Sequence, residues 1–106
     1  MEDNAHAGTG SVLLDIGGDI GAAVVVLPAA LAGREIEARP LGTELPHHLP
    51  HVGVVPRPAP DGSVVHSAVF AELPAGSYEL YERPEGPVRL RLSVTGGEVT
   101  EAVWPG

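Results

Sequence analysis

Fourteen glycines and eleven prolines punctuate a chain of 106 residues. At that density no window holds a helical period for long, so the chain has to build from short extended pieces joined by turns. Between the punctuators lie β-branched runs. They predict strands near Ser11–Ile16, Ile20–Leu27, Arg34–Arg39, His51–Arg57, Ser63–Phe70, Ser77–Arg83, Pro87–Val94 and Glu98–Trp104. Residues 28–33 leave room for one helical turn. Seven or eight short, mainly antiparallel strands predict an all-β, two-sheet sandwich. The length suits one core and one domain over residues 1–106, with residues 1–10 flexible.

Two turns set registers. Pro84-Glu85-Gly86 and Pro60-Asp61-Gly62 both begin with the residue that fixes φ and end with the one that tolerates a left-handed backbone. Closing the later loop between Arg83 and Pro87 pairs Leu80 with Leu90 and Tyr78 with Leu92 on one face. Glu79 then meets Arg91, and Tyr81 meets Arg89, on the other. Closing the earlier loop joins Ala59 to Ser63, so that Val54 faces Ala68 and Val52 faces Phe70. Val55, Arg57, Val65, Ser67 and Val69 fall on the opposite side, which is too apolar for a solvated face. Either the second sheet covers part of that side or a partner does; since a sandwich buries only one of these sets in its core, Val55, Val65 and Val69 are expected to meet a partner, in the first instance a second copy of the chain.

Charge and composition narrow the function. Fourteen acids face six bases, all arginine, for a net charge of −8; such a surface repels phosphate backbones and argues against nucleic acid. The longest apolar run, Ala22–Leu31, is interrupted by Pro28 and too short to span a bilayer. The acidic start, Met1-Glu2-Asp3-Asn4, is unlike a secretory signal, and with no cysteine there is no disulfide framework, so a cytoplasmic location is expected. The absence of lysine beside abundant Ala, Gly, Pro, Val and Arg points to GC-rich, bacterial codon usage.

The stretch Ala68–Leu80, continued by Val94–Val99, resembles the prealbumin-like sandwiches, among them transthyretin, carboxypeptidase regulatory domains and Cna-B repeats. The resemblance rests on Phe70 at a strand end, a Leu73-Pro74-Ala75-Gly76 corner, and Tyr78-Glu79-Leu80. It implies that Phe70, Leu73 and Tyr78 fill one core while Pro74 and Gly76 turn between sheets. Gly17–Gly21 and Leu31–Glu37 also resemble segments of small uncharacterised proteins of GC-rich bacteria. Two family activities lack their residues. The Cna-B cross-link needs a lysine, and the transthyretin-like hydroxyisourate hydrolases end in Tyr-Arg-Gly-Ser where this chain has Val103-Trp104-Pro105-Gly106.

Among chemical leads, His47, His48, His51 and His66 are the candidate ligands for zinc, copper or nickel. Pro46 and Pro50 oppose a helix that would align them. The hairpin register sets His66 opposite Pro56, about 16 Å along the strand from His51. A joint site therefore needs the proline-rich loop to fold back. Asp15-Ile16-Gly17-Gly18-Asp19 reads as a glycine turn flanked by solvated carboxylates rather than a phosphate loop. His66 and Ser67 point to opposite faces and cannot act as base and nucleophile. Glu35 and Glu37 share a strand face and are read as solvated partners of Arg34 or Arg39 rather than a glycosidase pair. Tyr81 and Trp104 have room to face outward and stack on a ligand, though Trp104 suits closing a core. The expectation is a non-enzymatic binding or interaction module with no catalytic residues, followed by a histidine-based metal protein, with a small hydrolase third.

Overall fold

The computed structural model describes residues 13–42 and 49–105. Residues 1–10, expected to be flexible, lie outside that range, as do His47, His48 and the start of the Ser11–Ile16 strand. Residues 13–16 form no strand.

Eight strands form two sheets: β1 (Ile20–Leu27), β2 (Glu35–Pro40), β3 (His51–Gly53), β4 (Val55–Pro58), β5 (Val64–Pro74), β6 (Gly76–Glu82), β7 (Val88–Val94) and β8 (Val99–Val103). Sheet A has the order β4-β5-β1-β8 and sheet B the order β3-β2-β6-β7. All pairings are antiparallel except β1 with β8. The chain is an all-β, two-sheet sandwich, and one short 3-10 turn, Ala29–Leu31, links β1 to β2. Among the described residues no helix is long and apolar enough to cross a membrane.

β1 is central because its residues are apolar in succession. Ala22 to Val25 are buried on both faces, as a strand flanked on either side requires. Between the layers Ala23, Val25 and Leu27 meet Ile36, Ala38, Leu80 and Leu92, with Trp104 closing the core from the end of β8. Phe70, Leu73 and Tyr78 join the same core, as the corner motif implies. The Tyr78 hydroxyl donates to the Pro74 carbonyl at 2.6 Å, tying the corner back on itself.

Two glycine turns interlock at one end. Gly17 and Ile20 exchange backbone hydrogen bonds at 2.9 Å around a two-residue turn, and Gly18, at φ +57°, holds its left-handed first position. The turn leading from β7 to β8 lies against this one so closely that a Cβ on Gly96 would stand 2.0 Å from the Gly18 carbonyl oxygen. A Cβ on Gly21 would stand 2.3 Å from that of Thr95. Only glycine permits such a backbone crossing.

Three local expectations change. The run His51–Arg57 is two strands in different sheets: Val52 pairs with Ile36 in sheet B instead of with Phe70, whereas Val55–Pro58 pair with β5 in the expected register. The switch falls at Val54, whose N–H and C=O bond Arg34 and Gly33 at 2.8 Å and whose side chain is buried in the core. In the later hairpin Leu80–Leu90, Glu79–Arg91 and Tyr78–Leu92 pair as expected, but a bulge at Arg89 sets Tyr81 opposite Val88. Gly86 is not left-handed; glycine is needed there because a Cβ would lie 2.7 Å from the Glu82 carbonyl oxygen. β5 also runs four residues beyond Phe70, pairing Leu73 with Gly21 before the corner.

Phe70→Ala should cost about 3–5 kcal/mol, a large share of a stability of order 5–15 kcal/mol. Chemical denaturation measures this directly. A loss below about 1 kcal/mol would contradict the burial of Phe70 in the shared core.

Candidate functional site

The two outer faces of the sandwich differ in chemistry. On sheet B, charged side chains from β2, β6 and β7 alternate across the strands. Arg39 Nη2 donates to Glu79 Oε1 at 2.7 Å, and Arg91 Nη2 reaches Glu79 Oε2 at 3.0 Å. Arg83 bridges Glu35 at 2.9 Å and Glu37 at 3.0 Å, while Arg34 pairs with Glu82. The Tyr81 hydroxyl donates to Glu37, and the Arg39 guanidinium carbon lies 5.3 Å from the Tyr81 ring centroid, within cation–π reach. Tyr81 thus faces outward yet is only 8% exposed, so its ring is not open for stacking. Burial, then the hydrogen bond to Glu37, push its phenol above the ordinary value. The hydrogen bond from Arg39, with Arg91 adding to it, holds the Glu79 carboxyl below the usual range despite some desolvation.

Sheet A presents valines instead. Register places Val55, Ser67, Val26 and Val103 in one row across all four strands, with Val69 and Val24 beside it. Val55 and Val103, at the ends of the row, are 38% and 70% exposed, while Val24, Ser67 and Val69 are buried. Val69, expected with Val55 and Val65 in an outward-facing strip that meets a partner, is instead withdrawn from solvent. A shallow groove of about 310 Å³ is lined by Val24, Val26, Glu101, Ala102 and Val103. Arg57 is the one arginine on this sheet. Its Nε donates to the buried Ser67 hydroxyl at 2.9 Å, and burial lowers its guanidinium pKa.

The histidine set is not brought together. His51 stands on the outer side of sheet B, its Nε2 3.8 Å from Glu35. His66 belongs to sheet A, between Leu27 and Pro56 in register. The chain changes sheets between them, so distance along one strand no longer relates the two. Among the described residues no group of three or more His, Asp or Glu side chains could hold a metal ion. Glu35 and Glu37 find Arg83 from the β6 side rather than Arg34 or Arg39. Asp15 and Asp19 are exposed as expected, though Asp19 stands in the turn itself rather than beside it, and Trp104 is a core residue. The sequence missed Val26 and Val103, whose row depends on the parallel pairing of β1 with β8; no local signal announces that contact.

A scan against protein-family models, a search of curated proteins and a search of solved structures return no match. Function therefore rests on the chemistry of these faces.

The sheet B network predicts an acid response. Glu79 has a folded pKa below its unfolded one, so its stabilisation is present above the ordinary glutamate range and disappears as pH falls through the folded value. On acidification through about pH 4, wild-type melting temperature should drop more steeply than that of Glu79→Gln. Parallel curves would show that Glu79 is not coupled to its arginines.

Proposed function

We propose that this domain is a non-enzymatic interaction module that works through the outer face of sheet A. One observation carries the reading: the row Val55–Ser67–Val26–Val103 places exposed valines at both margins of one sheet, while the charges of the other sheet neutralise one another in pairs. Val55, Val65, Val26 and Val103, exposed or half-buried around a buried centre, favour a contact with another macromolecule, whereas an ion-paired face stays hydrated. Among the described residues neither face forms a cleft that gathers a nucleophile, a base and an oxyanion donor, which supports a binding role over a catalytic one. The first occupant is a second copy, since a small chain that buries little surface alone gains most from pairing identical patches. Val55, Val65, Val26 and Val103 supply the contact, and Arg57 stands at its edge.

The net charge of −8 opposes self-association at low ionic strength, and salt screens that repulsion. Sedimentation should show a dimer at tens of micromolar that strengthens with added salt. Val55→Glu with Val103→Glu, both at exposed positions, should leave a folded monomer. A wild type that stays monomeric at low and high salt would overturn the homodimer.

A further inference from the structure

The free edges of the two sheets are not equally guarded. Sheet A ends on one side at β4, where Pro56 and Pro58 offer no N–H to an incoming strand, and on the other at β8, which has five residues and is shorter than β7. Sheet B ends on one side at β3, only three residues long. Its other edge, β7, has seven residues and no proline. The direction of the β7 backbone follows from two hydrogen bonds. The Ser77 carbonyl accepts from Leu41 N, so Ser77 and, two residues on, Glu79 turn their backbone groups toward β2. Their partners Ser93 and Arg91 must then turn theirs away from β6. The Thr100 hydroxyl reaches the Ser93 carbonyl from that side at 2.9 Å. Arg91 is left presenting its N–H and C=O outward beside a shallow groove of about 430 Å³, lined by Val88, Arg89, Leu90 and Arg91.

Charge says what would fit there. Arg39, Glu79 and Arg91 form one cross-strand row over β2, β6 and β7, alternating in sign. The row stops at the edge on an arginine whose side chain is 71% exposed. The next member that continues the alternation is a carboxylate. A second copy of β7 does not supply one, because antiparallel self-pairing centred on Leu90 or Arg91 sets arginine against arginine. The bulge at Arg89 leaves that side chain near the same edge, where its Nη2 donates to the Pro105 carbonyl at 3.1 Å and meets no carboxylate among the described residues.

We propose that β7 is a docking edge for an extended acidic segment of another protein, added as a fifth strand to sheet B with its glutamate or aspartate side chains over Arg91 and Arg89. Backbone pairing at Arg91 supplies the register, and the two guanidinium groups select for acid on the outer face. Alternate residues of the segment point the other way, toward Leu90, and suit apolar side chains.

A labelled peptide of alternating valine and glutamate, compared with its valine–lysine counterpart, tests this by fluorescence anisotropy and amide hydrogen exchange. The glutamate peptide should bind wild type at least tenfold more tightly than the lysine peptide and should slow exchange at the Arg91 amide. Arg91→Glu should reverse the preference, and that gain of lysine-peptide binding itself certifies a folded variant. Arg91→Thr, which keeps a strand-forming residue, should abolish the preference. Val55→Glu with Val103→Glu should leave peptide binding intact, separating this edge from the valine face. No binding of the glutamate peptide, equal binding of both peptides by wild type, or binding without protection at Arg91 would overturn the proposal.

Discussion

Two backbones pressed against each other at the glycine turns hold the rest of the architecture in place. Gly97 N–H donates to the Ile20 carbonyl, Ala22 N–H to that of Glu98, and Ala75 N–H to that of Asp19. Three connections are thereby tied at one end of the sandwich. The tie lets the chain leave sheet B after β7 and enter sheet A beside β1, in the parallel sense. Trp104 reaches the core only because β8 lies there, and Val103 joins the outer row of sheet A for the same reason. A side chain at Gly21 or Gly96 would collide with backbone, which cannot swing aside as a flexible side chain can.

The faces built on that frame divide the labour of the surface. Five of the six arginines belong to sheet B or its connections, and they meet most of their carboxylates there. Among the described residues, sheet A and the loops carry Asp15, Asp19, Asp61, Glu72, Glu85, Glu98 and Glu101 with a single arginine, so that part of the surface is more negative than the ion-paired face. Individual exposed pairs add little to stability. Their combined effect is to order the outer side of sheet B, holding Tyr81 under Arg39 and drawing the Arg91 guanidinium in from the edge onto Glu79.

Much of this was legible locally. The hairpin from Tyr78 to Leu92 is specified twice, by turn chemistry and by the match of apolar to apolar and acid to arginine, and its register holds until the bulge at Arg89. Ile20–Leu27 reads as a buried strand from its unbroken apolar run. The switch at Val54 was hidden because Val52, Val54 and Val55 form an apparently continuous strand, and only Gly33 and Arg34, distant in sequence, draw Val54 out of line. The valine row was half legible: the pairing of Val55 with Ser67 follows from the β4–β5 hairpin, but Val26 and Val103 require knowing that β8 returns to β1. Burial of Val69 likewise depends on neighbours outside its own hairpin. The histidines illustrate the same limit, since closeness along the chain said nothing about the change of sheet between His51 and His66.

The parallel pairing of Ala22 with Val99 and of Val26 with Val103 has a consequence in time as well as space. Contacts so distant in sequence close a very long loop, and topologies dominated by them form slowly. β5 can settle on one side of β1 well before β8 exists, while the other side waits until residues 99–103 have been made. During synthesis the most apolar strand of the protein therefore passes through a stage with one flank uncovered. That interval, rather than the finished fold, is when this chain is most exposed to pairing with a wrong neighbour.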